Sequence, residues 1–130
     1  MDVRKLQKIA VAALEDIKGE DIEVINTTKL TSMFDRIVVA TGNSNRQVKA
    51  LARSVQDKVR EAGGDVVGVE GEDSGEWVLV DLGSIVVHVM QPAVRSYYNL
   101  EELWQAKPKR KAKDEEETAP SPRPPSRGRG

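Results

Sequence analysis

The chain is predicted to fold as a mixed α/β domain, a sheet of mixed strand direction with helices packed on it. Three observations lead there. Apolar residues recur at helical spacing over residues 2–18 and again after residue 44. Between and after those helices run short segments that alternate polar and apolar residues, or are continuously apolar, at strand length. The last two such segments, residues 77–82 and 85–90, are separated only by Gly83-Ser84, a tight-hairpin connection. Strands alternating with helices and then a hairpin point to a mixed rather than an all-parallel sheet.

In chain order, Val3, Leu6, Ile9, Ala10, Ala13, Leu14 and Ile17 share one helix face, with Asp2 placed to cap the start and Gly19 to end it. Residues 21–26 alternate as a half-buried strand does, and the Thr- and Ser-rich residues 27–32 read as a turn or short helical link. Residues 35–41 end in a continuous apolar run, which suits a strand covered on both faces. Ser44 and Gln47 fit a capping box, with Asn43 as the alternative cap. Val48, Leu51, Ala52, Val55 and Val59 then line one face of a long helix that Gly63-Gly64 closes. Residues 65–69 form a third strand and residues 70–76 an acidic, Gly-rich loop. Gly83, first in its two-residue loop, matches a type II′ turn, and the register about it sets Leu82 opposite Ile85, Asp81 opposite Val86 and His88 opposite Leu79. Pro92 ends the sheet and opens a short helix, and residues 100–104 form one more helical turn.

Composition divides the chain into a domain over residues 1–106 and a tail over residues 107–130. The first part carries 12 basic and 17 acidic residues, the second 8 basic and 4 acidic. A mildly acidic domain is not drawn to a nucleic-acid backbone by its overall field and suits a basic protein partner better. The tail ends PSPRPPSRGRG and keeps no apolar periodicity, so it is expected to be disordered. The absence of Cys removes disulfides and thiolate metal ligands and fits a reducing compartment. No apolar run approaches the roughly 18 residues of a membrane helix, and the N-terminus enters a helix pattern directly. A soluble, cytoplasmic protein that does not engage membranes is expected.

Four of the five aromatic residues, Trp77, Tyr97, Tyr98 and Trp104, fall between residues 76 and 104, with the only histidine, His88. Large amphipathic rings beside charged neighbours such as Arg95 are what protein-binding surfaces are rich in. The competing account of each ring is ordinary core packing. Asp81 and His88 are diagonal neighbours across the hairpin, either an acid–base pair or, as the missing nucleophile favours, a polar pair on one sheet face. Gly42-Asn43-Ser44 stands where a strand turns into a helix. It lacks a P-loop lysine and reads as capping rather than phosphate binding. The carboxylate pairs Asp21/Glu23 and Glu70/Glu72 are the only material for a metal-dependent transferase, and pairs of this kind arise easily in so charged a chain. The basic tail segments Lys109-Arg110-Lys111-Ala112-Lys113 and Arg127-Gly128-Arg129 suit weak RNA contact or simple solubilisation. No catalytic set, metal site or cofactor is expected.

Asp35 with IVVATGNSNRQVKAL, then VEG at 69–71, EWVLVDLG, IVVHVM and RSYYNLEELW, in this order and at this spacing, resemble the ribosomal silencing factor (Iojap-like) family. The likeness covers about residues 2–106. It implies a five-stranded mixed sheet, similar in fold to nucleotidyltransferases without their catalytic carboxylate motif. It further implies a translational repressor, not an enzyme, that binds large ribosomal subunit protein fourteen and blocks docking of the small subunit when nutrients are scarce, from a family often dimeric when free. The positions matching the family pattern are Trp77, Asp81, His88, Arg95, Tyr97, Tyr98 and Trp104, expected to bind the partner. Met90 stands where family members often carry Phe.

Overall fold

The computed structural model describes the backbone of residues 1–98 and the side chains of residues 1–96. Its elements are α1 (Val3–Asp16), β1 (Glu20–Asn26), β2 (Arg36–Thr41), α2 (Asn45–Glu61), β3 (Gly68–Glu70), β4 (Trp77–Asp81), β5 (Ile85–Met90) and α3 (Pro92–Tyr98). The strands form one sheet in the order β1-β2-β5-β4-β3. β2 and β5 run parallel and the other three pairs antiparallel, so the sheet is mixed, as expected. The expected helical turn at residues 100–104, the domain boundary at 106 and the tail lie outside the described residues.

The period-two alternation of the central strands sorts their side chains onto two faces. Val38, Ala40, Val78, Val80, Ile85, Val87 and Val89 face α1 and α2, where Leu6, Ala10, Leu14, Val48, Leu51, Val55 and Val59 complete the larger core. The other face gathers Ile25, Phe34, Ile37, Val39, Trp77, Leu79, Val86 and Met90, with Val94 of α3 packed against them. Both faces of β2 and β5 are therefore covered, which explains the apolar run of β2 and the single polar side chain, His88, in β5. Among the described residues no helix is long and apolar enough to cross a membrane.

The helix ends show where local chemistry departs from expectation. Asp2 caps α1 by accepting from Arg4 N at 3.0 Å. The left-handed residue after α1 is Lys18 (φ +62°), not Gly19. Gly19 N reaches Leu14 O and Lys18 N reaches Glu15 O, both at 2.9 Å, a Schellman closure with lysine in the glycine position. Gly19 serves instead by lacking a side chain, since a Cβ there would come within 3.1 Å of Leu14 O and of Leu51 Cδ2. In α2, Ser44 Oγ accepts from Gln47 N at 3.0 Å, the first half of the expected box. Gln47 Oε1 accepts from Asn43 N at 2.7 Å rather than from the cap residue itself. Gln47 Nε2 donates to Ile17 O and Lys18 O, both at 3.2 Å, and so ties the end of α1 to the start of α2.

β1 starts one residue earlier than predicted and carries a register shift between Glu20 and Glu23, where Asp21 sits at φ +48°. β3 is shorter and later than predicted, at Gly68–Glu70. It is an edge strand paired only with β4, and Val67 just before it is largely exposed.

Candidate partner-binding site

The described candidate residues lie on β4, β5 and the helix that follows them, Trp77 and His88 on the sheet face opposite α1 and α2. Gly83 (φ +92°) makes the hairpin turn, and the register is as predicted, with Leu79 opposite His88 and Asp81 opposite Val86. Trp77, at the start of β4, lies opposite Met90.

Trp77 and His88 come together. The indole Nε1–H donates to His88 Nδ1 at 2.9 Å, and the ring centroids are 5.8 Å apart at 47°. Trp77 is 7% exposed and His88 1%. This corrects the expectation that both rings form an exposed contact face: in the folded chain they belong to the interior. It also dissolves the Asp81–His88 pair. Asp81 Oδ1 accepts from Gly83 N at 2.8 Å, using the carboxylate to brace the turn, while the histidine turns to the indole.

An Nδ1 that accepts must be unprotonated, so the neutral ring carries its proton on Nε2. His88 Nε2 is buried and has no hydrogen-bond partner among the described residues. Burial pushes the imidazole pKa from 6.5 down to about 3, because a charged ring would lose its hydration without gaining a counter-ion. The ring is thus neutral at physiological pH and serves as a rigid acceptor, a poor general base.

Arg95 is half-buried. It anchors α3 to the end of β2, its Nη1 donating to Thr41 Oγ1 at 2.7 Å and its backbone N to Gln91 O at 3.0 Å. The Tyr97 and Tyr98 side chains and all of Trp104 lie outside the described residues.

Thr41 and Gln91 were not singled out by the sequence. Gln91 Nε2 donates to Gly75 O at 3.1 Å and to Asn45 Oδ1, and Gln91 N donates to Glu76 O at 3.0 Å. One residue thus joins the end of β5, the acidic loop and the start of α2. These links span 15 to 46 positions, and nothing in local spacing marks them.

The remaining candidates separate. Asp21 and Glu23 lie on β1 and Glu70 on β3, the two opposite edges of the sheet, so the two carboxylate pairs cannot share one metal. Among the described residues no three acidic, His or Cys side chains gather as metal ligands would. At Gly42-Asn43-Ser44 the backbone N–H of Asn43 and that of Gln47 are taken by side-chain oxygens, which is capping.

The family described as "Ribosomal silencing factor during starvation" matches residues 1–129. The chain belongs to the ribosomal silencing factor family. One relative, the ribosomal silencing factor of Chromobacterium violaceum, is 64% identical over 104 residues, covering 80% of this chain and 85% of the relative. A crystal structure of a protein from the same organism superposes with a TM-score of 0.80 at 63% identity, covering 82% of this chain and 89% of that one. A more distant relative, from mouse, is named mitochondrial assembly of ribosomal large subunit protein 1. It is 32% identical over 97 residues, covering 72% of this chain and 42% of its own length. Membership of the ribosomal silencing factor family gives the protein a ribosome-associated role in regulating translation. Met90 is fully buried in the Trp77 cluster, where its unbranched thioether fills the space.

Proposed function

We propose that this protein represses translation by occlusion. It docks on the large ribosomal subunit through large-subunit protein fourteen and stands where the small subunit must sit, lowering translation under nutrient limitation. A domain of about 100 residues has a radius of gyration near 13 Å, so a body roughly 30 Å across fills the docking face without any bond being made or broken. Free copies pair with one another.

Family membership carries the reading: its description joins the ribosome, silencing and starvation, and the mouse relative is named for the large subunit. The geometry adds a division of labour. Trp77 and His88, fixed in the interior, make the hairpin face a stiff platform. Asp81 braces the turn and Arg95 braces α3, and the partner-contacting rings are then Tyr97, Tyr98 and Trp104.

Co-sedimentation with purified large and small subunits tests this. The protein travels with the large subunit and not the small. Tyr98→Ala weakens that binding about 30-fold, the equivalent of a 2 kcal/mol hot spot. Binding to neither subunit, or equal binding to both, would refute the reading.

A further inference from the structure

The net charge hides a segregation that the fold makes spatial. On α1 and α2, which cover one face of the sheet, Arg4, Lys5, Lys8, Arg46, Lys49, Arg53, Lys58 and Arg60 face only four acids, Glu15, Asp16, Asp57 and Glu61. The rest of residues 1–98 holds four cations against eleven acids. Four of the helical cations line up. At 100° per residue, Arg46, Lys49, Arg53 and Arg60 lie within about 60° of one another on α2, along roughly 21 Å of axis. All four are exposed. Among the described residues none of these four side chains makes a hydrogen bond or ion pair, whereas Lys58, on a different side of the same helix, lies 3.9 Å from Asp16. Asp57 lies near the line of the stripe, and at its start Gly75 of the acidic loop packs against Asn45 and Lys49.

A line of unpaired cations beside a chain rich in acids is a surface left open for an anion outside the chain. We infer that Arg46, Lys49, Arg53 and Arg60 form a contact for the phosphate backbone of RNA, used when the domain sits on the large subunit. This rests on the proposed function, which brings the domain to a body built largely of RNA. A regular polyanion suits the stripe, because Arg46, Lys49 and Arg53 follow at about one helical turn and Arg60 at about two, spacings close to one and two phosphate steps along a strand. The rest of the described domain is acidic and repels RNA at a distance. The stripe therefore does not recruit free RNA strongly. It adds affinity and fixes orientation once another contact has placed α2 against the backbone.

The experiment is the salt dependence of binding to purified large subunits, for the full chain and for Arg46→Gln/Lys49→Gln/Arg53→Gln/Arg60→Gln. Glutamine is close to Arg and Lys in helix propensity, and all four positions are exposed, so circular dichroism and the urea midpoint should stay near wild type. Each phosphate neutralised adds about 0.7–0.9 to the slope of log K against log salt. Four contacts then give the wild type a loss on the order of 50-fold between 50 and 200 mM KCl that the variant lacks. Polyglutamate is the control for an acidic protein partner, and a 20-base-pair RNA duplex competes for the same stripe at high concentration. Equal salt slopes for the two proteins overturn the inference. Competition by polyglutamate as effective as that by the duplex also overturns it, in favour of an acidic protein. If the wild type binds no large subunits but still binds the duplex, through these four residues, the proposed function fails and the RNA contact stands.

Discussion

Lowering the pH from 7 to 5 should cost the domain about 2 kcal/mol through His88 alone. In the folded chain the imidazole is held neutral, its Nδ1 committed to the Trp77 indole and its pKa pushed to about 3 by burial. In the unfolded chain the same ring titrates near 6.5. Between those values the unfolded chain binds a proton that the folded chain does not. The contribution is therefore present above about pH 6.5 and is lost as pH falls toward 3, by roughly 1.4 kcal/mol per unit. Rounding near 6.5 leaves about 2 kcal/mol for the step from 7 to 5. The assay is urea unfolding at pH 7, 6 and 5 for the wild type and for Trp77→Phe/His88→Leu. That variant removes donor and acceptor together and so leaves no new orphan in the interior. Its stability should fall by about 2 kcal/mol less than the wild type's over the same range. Because His88 is the only histidine, imidazole 15N shifts give a direct check: the ring stays neutral, with its proton on Nε2, at pH 5. Parallel pH slopes in the two proteins, or a protonated ring at pH 5 in the folded wild type, would refute the reasoning.

Three further outcomes follow from the backbone and the caps. Gly71→Ala should destabilise the domain by at least about 3 kcal/mol, read as a fall in the urea midpoint. Gly71 sits at φ +88°, and a Cβ there would fall 2.1 Å from Trp77 O. Lys18→Gly should stabilise it by about 1 kcal/mol, because Lys18 holds the left-handed position at the end of α1. Thermal unfolding should register this as a rise of several degrees in Tm. Gln47→Ala should cost about 1–2 kcal/mol and speed amide exchange of Asn43, since one side chain serves Asn43 N and the Ile17 and Lys18 carbonyls.

What was legible in the sequence was mostly local. The two-residue turn at Gly83-Ser84 determined the β4–β5 register to the residue, because so short a connection admits few geometries. The apolar run of β2 announced a strand covered on both sides, whereas β5 carries His88 in its middle and gave no such sign. Their pairing with each other, Arg36 against Ile85, depends on contacts 49 residues apart that no local pattern records. Alternation also put Asp81 and His88 on one face. It could not say which neighbour each would choose. Asp81 is nearer the turn, where a free backbone N–H takes its carboxylate, and the indole of Trp77 is the donor within reach of the ring. Ring residues beside charges looked like surface in one dimension. In three, β4 is paired on both sides and its Trp77 closes the smaller core. The charge stripe on α2 was hidden for the same reason: a composition sum cannot show that four cations share one helix line.

Occlusion, as proposed, requires the domain to stand between the two subunits. The direct measurement is association of purified large and small subunits, followed by light scattering, with the protein added to the large subunit first. Under occlusion the fast rise in scattering should shrink in proportion to the large subunits occupied. Adding the protein after the subunits have joined should have little effect, because its docking face is then covered. Undiminished joining with large subunits demonstrably saturated by the protein would contradict it.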